Sequence, residues 1–205
     1  MRLGIFGGTF DPVHHGHLIL AECCREQCQL DQVWFLPAAV PPHKQTNEVT
    51  SAEHRLQMMQ LAVAGHPGLV VSRMETERAG VSYTVDTLKQ IGEEQSDAQL
   101  YLLMGADTLA DLPNWRQPAN VCQLATPVVV QRADFPAADF SVLEDFVDER
   151  RLAEIQTHLV NMPVVQFSSS DIRQKTREGR SVRYQVPRAV EMYIQTNGLY
   201  QEPGS

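Results

Sequence analysis

At 205 residues, 43% of them hydrophobic and 20% charged, the chain is long enough for one α/β domain with a real core and short for two. A net charge of −8 argues against broad nucleic-acid binding, which wants a basic face, yet leaves room for small anionic substrates in a local pocket of His, Lys, Arg and helix N-termini. No apolar run approaches the length of a membrane span, residues 1–6 are too short for a secretory signal, and four cysteines, three of them in one predicted helix, make a poor disulfide framework. A reducing cytoplasm is the expected setting.

Residues 2–6 read as a first strand and residues 18–30 as a helix. Between them lies Gly7-Gly8-Thr9-Phe10-Asp11-Pro12-Val13-His14-His15-Gly16-His17. A second strand is predicted at 33–37. Thr50-Ser51-Ala52-Glu53 reads as a capping box opening a helix to about Ala64, with Leu56, Met59 and Val63 on one side. A third strand is predicted at 69–74, and a helix at 82–94 with Val85, Leu88 and Ile91 inward. The fourth and fifth strands fall at 100–104 and 127–131, and residues 131–141 form the loosest segment. A charged surface helix is expected over 142–159, a sixth strand at 164–167, and helices at 171–178 and 187–196, with Gly198 as a stop. Strands separated by helical crossovers imply an α/β fold: a doubly wound, mostly parallel, Rossmann-like sheet with C-terminal helices, in a single domain over 1–205. Such sheets bind ligands beyond the carboxyl ends of their strands.

Every motif with chemistry falls on that edge. Strand, glycine turn and helix aim free N–H groups at an anion, and Gly7 and Gly8 let backbone approach it closely. The run has neither the G-x-G-x-x-G pattern nor a Gly-Lys-Ser/Thr ending. His14 and His17 are three apart, so on one helical turn they share a face and can donate to charge that builds up on phosphate. Zinc is disfavoured, because Cys23, Cys24 and Cys28 lack a chelating spacing. After the second strand, Pro41-Pro42-His43-Lys44 is a stiff loop with two potential cations. Ser82-Tyr83-Thr84-Val85-Asp86 follows the third strand; Gly105-Ala106-Asp107 and Asn114-Trp115-Arg116 follow the fourth. Ser168-Ser169-Ser170 precedes Arg173 by about one turn, and hydroxyls, free N–H groups and a guanidinium fork suit phosphate oxygens. The plain alternatives are helix caps for the serines and Asp107, and core filling for Trp115.

Gly7-Gly8-Thr9-Phe10-Asp11-Pro12 followed by His14-x-Gly16-His17 resembles the signature of the H-x-G-H nucleotidyltransferases. The Ser-Ser-Ser-x-x-Arg run resembles the second signature of that superfamily, and the Pro-Pro-His-Lys loop, Thr84, Trp115 and the ending from Val186-Pro187 to Gly198-Leu199-Tyr200 narrow the likeness to the bacterial nicotinate-nucleotide adenylyltransferase family, over nearly the whole chain. Ser170 stands where Thr is common. The resemblance implies adenylyl transfer from ATP to nicotinate mononucleotide, giving deamido-NAD and pyrophosphate in NAD biosynthesis. It implies direct in-line attack, with His14, His17, Lys44 and Arg173 at the phosphates. ATP would be held by Gly7, Gly8, Thr9, Phe10, His17, Gly105, Asp107, Ser168, Ser169, Ser170 and Arg173. The mononucleotide would be held by His43, Lys44, Tyr83, Thr84, Trp115 and the backbone of Arg116, with the Trp115 ring stacked on the pyridine. Mg²⁺ is expected to arrive on ATP, coordinated by phosphates and water, without a dedicated protein cage. Three other readings stay open: pantetheine-phosphate adenylyltransferase or another nucleotidyltransferase, a non-catalytic nucleotide-binding regulator, and a short tRNA-synthetase-like binder. No nucleic-acid or membrane partner is expected, and assembly as a homo-oligomer is left open.

Overall fold

The computed structural model describes residues 1–39, 49–78, 81–132 and 137–201. Strand β1 (Arg2–Gly8) runs on through both glycines, because Gly7 and Gly8 still pair with Leu36 and Pro37 of β2 (Gln32–Pro37). The turn therefore begins at Thr9. Helix α1 (His15–Gln27) starts earlier than residue 18, with His14 as its N-cap. Next come α2 (Ala52–Val63), β3 (Leu69–Val71), the one-turn α3 (Met74–Glu77) and α4 (Thr84–Glu94). Then β4 (Gln99–Gly105) leads into α5 (Ala106–Asp111), a 3₁₀ turn at Leu112–Asn114 and α6 (Pro118–Leu124). Strand β5 (Thr126–Arg132), a 3₁₀ turn at Phe140–Leu143, α7 (Glu149–Gln156), β6 (Leu159–Met162), α8 (Ser169–Arg177) and α9 (Arg188–Thr196) complete the order.

Several boundaries differ from the sequence reading for identifiable reasons. Strand six lies at Leu159–Met162, where exposed and buried residues alternate. Residues 164–167 are not a strand. Pro163 removes the ladder donor directly after Met162, and Val164 beyond it is 51% exposed. The expected long helix over 142–159 is only the 3₁₀ turn and the short α7. Strand three stops at Val71, because Met74 already opens α3. At α2 the N-cap is Ser51, not Thr50: its hydroxyl accepts from the His54 N–H, and Glu53 pairs with Arg73 at 2.9 Å instead of closing a capping box. Helix α4 starts at Thr84, with Tyr83 as its N-cap.

The sheet order is β3-β2-β1-β4-β5-β6, and all of its pairings are parallel. Strand order reverses between β1 and β4, which opens a crevice at their carboxyl ends. Alternation along β1 sends Phe6 to one face and Leu3 and Ile5 to the other. The first face packs on α1, α2, α8 and α9 through residues such as Leu20, Met59, Ile172 and Ile194; the second packs on α4 to α7 through Leu88, Leu109, Val121 and Ile155. Each fully buried aliphatic side chain contributes about 1.5–3 kcal/mol, so both faces hold the crevice rigid. Gly4 sits where a Cβ would meet Leu30 at 2.9 Å and Val33 at 3.0 Å, so its absence of side chain lets β1 sit close under its neighbours.

Candidate active site

The turn after β1 is built around Phe10. Its backbone lies in the left-handed region, at φ 49°, which is uncommon for an aromatic residue. Its buried ring folds back over Gly8, where a Cβ would stand 2.9 Å from the ring edge. A Cβ on Gly7 would meet nothing within 4 Å, so that backbone faces open space. The Phe10 ring also stands edge-on to His17, with centroids 5.0 Å apart.

His14 and His17 stack at 3.7 Å with planes 19° apart. The His14 N–H donates to Nδ1 of His17 at 3.3 Å. In the neutral ring that places the His17 proton on Nε2. The first turn of α1 carries no acidic residue, so its dipole is not offset there.

The α8 side reaches the same turn. Arg173 donates from Nη1 to the Asp11 carbonyl at 2.7 Å, and the Ser169 hydroxyl donates to the Pro12 carbonyl at 2.9 Å. Ser168 is the helix cap, accepting from the Asp171 N–H at 3.1 Å, and its oxygen lies 3.3 Å from that of Ser170. Two side chains thus join α8 to the segment between Gly8 and His14.

On the other side of this turn lies a cavity of about 570 Å³. Gly7, Gly8, Thr9, Tyr83, Thr84, Gly105, Asp107, Trp115 and Arg116 all line it. Phe10, His14, His17, Ser168, Ser169, Ser170 and Arg173 do not; they form the cluster beside it, joined to it through the Thr9–His14 backbone. His43 and Lys44 lie outside the described residues. Asp107 is in the first turn of α5, one residue past Ala106, with Gly105 as the N-cap. Its carboxylate leans back over Gly105, where any Cβ would collide with it. The Trp115 indole N–H donates to Asp111 at 3.3 Å, and Asn114 donates to the other oxygen of that carboxylate at 3.0 Å, so the ring plane is fixed from below. The Arg116 guanidinium turns outward, 4.7 Å over the Tyr83 ring and 3.3 Å from Asp86. Among the described residues, no group of three or more His, Cys, Asp and Glu side chains is placed to hold a metal ion.

Residues that the sequence reading did not single out hold these parts together. Arg55 is 0% exposed and donates to four carbonyls: Thr50 at 2.9 Å, Thr9 at 2.9 Å, Ala38 at 2.7 Å and Ala39 at 3.4 Å. Burial pulls its pKa down, and the nearby Asp11 carboxylate and Tyr200 oppose that. The signal for Arg55 was its place three and four residues before Met58 and Met59, on the buried face of α2. Asp11 itself accepts from the Tyr200 hydroxyl at 2.6 Å and the Thr50 N–H at 3.1 Å. Burial pushes the Tyr200 phenol up, and the carboxylate beside it adds to the rise.

A doubly wound parallel sheet, with a glycine-led turn and paired imidazoles at its switch point, defines a nucleotide-binding α/β protein. More particularly, the chain belongs to the cytidylyltransferase-like family, whose sequence model matches residues 5–175. Within it the chain groups with proteins named probable nicotinate-nucleotide adenylyltransferase. It is 47% identical to one from Thermomicrobium roseum over 98% of this chain and 92% of that protein. It is 42% identical to one from Geobacillus thermodenitrificans, over 97% and 86%. The fold matches a Plasmodium falciparum nicotinic acid mononucleotide adenylyltransferase solved in complex with NaAD, with TM-score 0.77, 18% identity and 97% of each chain covered. No helix among the described residues is long and apolar enough to cross a membrane.

Proposed function

We infer that this protein transfers an adenylyl group from ATP to nicotinate mononucleotide, releasing pyrophosphate and forming the acid dinucleotide of NAD biosynthesis. The observation that carries the reading is the shared turn. Gly7, Gly8 and Thr9 line a cavity whose far wall holds Tyr83, Thr84 and Trp115, while His14 and His17 stand a few residues on at the head of α1. A pyridine ring in that cavity would place its ribose phosphate toward the imidazoles.

In the proposed reaction a phosphate oxygen of the mononucleotide attacks the α-phosphorus of ATP. The new O–P bond forms as the bond to pyrophosphate breaks, and no covalent enzyme intermediate is needed. Catalysis is then positioning and charge stabilisation. His17 Nε2–H and His14 act on the phosphate oxygens. Arg173, held at one nitrogen by the Asp11 carbonyl, offers the rest of its fork, and Lys44 adds a second cation. Gly105 and Asp107 take the adenosine side. Mg²⁺ carried in on ATP would supply charge neutralisation at the phosphates, with ATP oxygens and water as its ligands. We also propose a single domain over 1–205 and a cytoplasmic setting, in keeping with four free cysteines, three of them buried.

The test is pyrophosphate release with ATP and nicotinate mononucleotide, run beside the nicotinamide form. Turnover with the acid form and weaker turnover with the amide is expected; release with neither sinks the reading. Trp115→Ala supplies a second check. It should raise KM for the mononucleotide about tenfold or more while KM for ATP moves little, since stacking of a flat ring on an aromatic contributes about 1–3 kcal/mol. The reverse pattern would place Trp115 away from the pyridine.

A further inference from the structure

Glu75 stands in the wall of the cavity, 7% exposed, on the short helix α3. A carboxylate is the wrong sign for direct contact with an anionic mononucleotide, so its purpose must lie in what else it touches. The Thr87 hydroxyl donates to Oε1 of Glu75 at 2.8 Å. The Arg78 guanidinium donates to the Thr87 oxygen at 2.7 Å, completing a chain of polar groups. Ser82 in turn accepts the Ala39 N–H at 3.2 Å, at the exit of β2. Ser82 and Thr87 lie on either side of Tyr83 and Thr84, and all four line the cavity. One buried carboxyl therefore holds the Thr87 flank of this segment, while Ser82 ties the other flank to the exit of β2.

We propose that Glu75 is a positioning residue for mononucleotide specificity: it clamps the Ser82–Thr87 segment, so that Tyr83 and Thr84 present fixed donors to the pyridine substituent. This rests on the function proposed above. A carboxylate suits the task because its two oxygens accept from several donors at once. Glutamine keeps one such oxygen and the same shape; alanine keeps neither. A graded response follows.

The experiment compares the full-length wild-type chain with Glu75→Ala, Glu75→Gln and Thr87→Val, measuring KM and kcat for ATP, nicotinate mononucleotide and the nicotinamide form. In Glu75→Ala, KM for the acid mononucleotide is expected to rise about tenfold to a hundredfold, the cost of small misplacement of binding groups. The acid-to-amide ratio of kcat/KM should fall with it, KM for ATP should stay within about twofold, and Glu75→Gln should recover most of the loss. A purely structural Glu75 would lower thermal stability or the active fraction and leave these ratios alone, and that result overturns the proposal. Should Glu75→Ala fail to fold, Thr87→Val removes one donor from the clamp while keeping its shape, and an unchanged KM for the mononucleotide in that variant overturns it equally. A wild-type chain that turns over neither mononucleotide defeats the function and this inference together, whereas an active wild type with unshifted variants defeats this inference alone.

Discussion

Replacing His17 by alanine is expected to lower kcat by about 10²–10³, the usual loss for one donor aimed at charge in the transition state. His17 is the third residue of α1, where its Nδ1 is engaged by the His14 N–H and its ring is sandwiched between the His14 stack and the Phe10 edge. These contacts orient the ring, so in the proposed mechanism a hydrogen bond from His17 to phosphate would cost little reorganisation. The same substitution should do little to the fold. Alanine is a good helix former, His17 is only half-buried, and the loss should amount to about 1 kcal/mol. Pyrophosphate release at saturating ATP and mononucleotide, read beside a thermal melt, separates the two effects. A variant that melts like wild type and turns over near the wild-type rate would remove His17 from the mechanism. An asparagine in its place restores a donor of shorter reach, and recovering part of the rate would identify the lost group as a donor rather than a base.

The parts of this fold that could be read in the sequence are those set by local patterning. β1, β4 and β5 are unbroken apolar runs bounded by glycine or polar residues, and the turn after β1 announces itself by composition. β6 lies five residues before the apolar pair Val164-Val165 would place it, because Pro163 stands between that pair and the real ladder. Gly7, Gly105 and Asp107 sit at or just past strand ends, so topology alone brings them to one edge, whereas α3 separates Thr84 from β3 and α5 separates Trp115 from β4. What holds them is written in long-range contacts that leave no local pattern. Tyr200 meets Asp11 across 189 residues, Arg173 meets the Asp11 carbonyl across 162, and the acceptors of Arg55 are carbonyls, which any residue type supplies. The serine run illustrates the same limit: Ser168 caps α8 while Ser169, one residue on, reaches the Pro12 carbonyl, and spacing cannot separate those tasks.

Arg55→Met is expected to destabilise the protein by about 3–5 kcal/mol, because it removes one partner from a buried charged network and leaves the others in place. For a chain of this length that corresponds to a fall in Tm of about 6–20 °C, at about 2–4 °C per kcal/mol. Methionine fills much of the volume, so the loss is polar rather than steric. The Thr9, Ala38, Ala39 and Thr50 carbonyls would lose their shared donor, and the buried Asp11 carboxylate, which accepts from the Tyr200 hydroxyl and the Thr50 N–H, would lose the positive charge near it. Lysine should recover part of this, since it restores the charge but not a fork able to meet several carbonyls at once. The effect should also reach the site. Arg55 joins the turn after β1 to the exit of β2 and to Thr50, the two ends of the stretch that contains Pro41-Pro42-His43-Lys44. Loosening it should therefore raise KM for both substrates in Arg55→Lys, even at a temperature where that variant is fully folded. Thermal melts of the two variants and wild type, with steady-state kinetics on the lysine variant, decide the matter. A methionine variant that melts within a degree or two of wild type would mean that the four carbonyls find other partners, and that the guanidinium is not what ties the turn after β1 to the exit of β2.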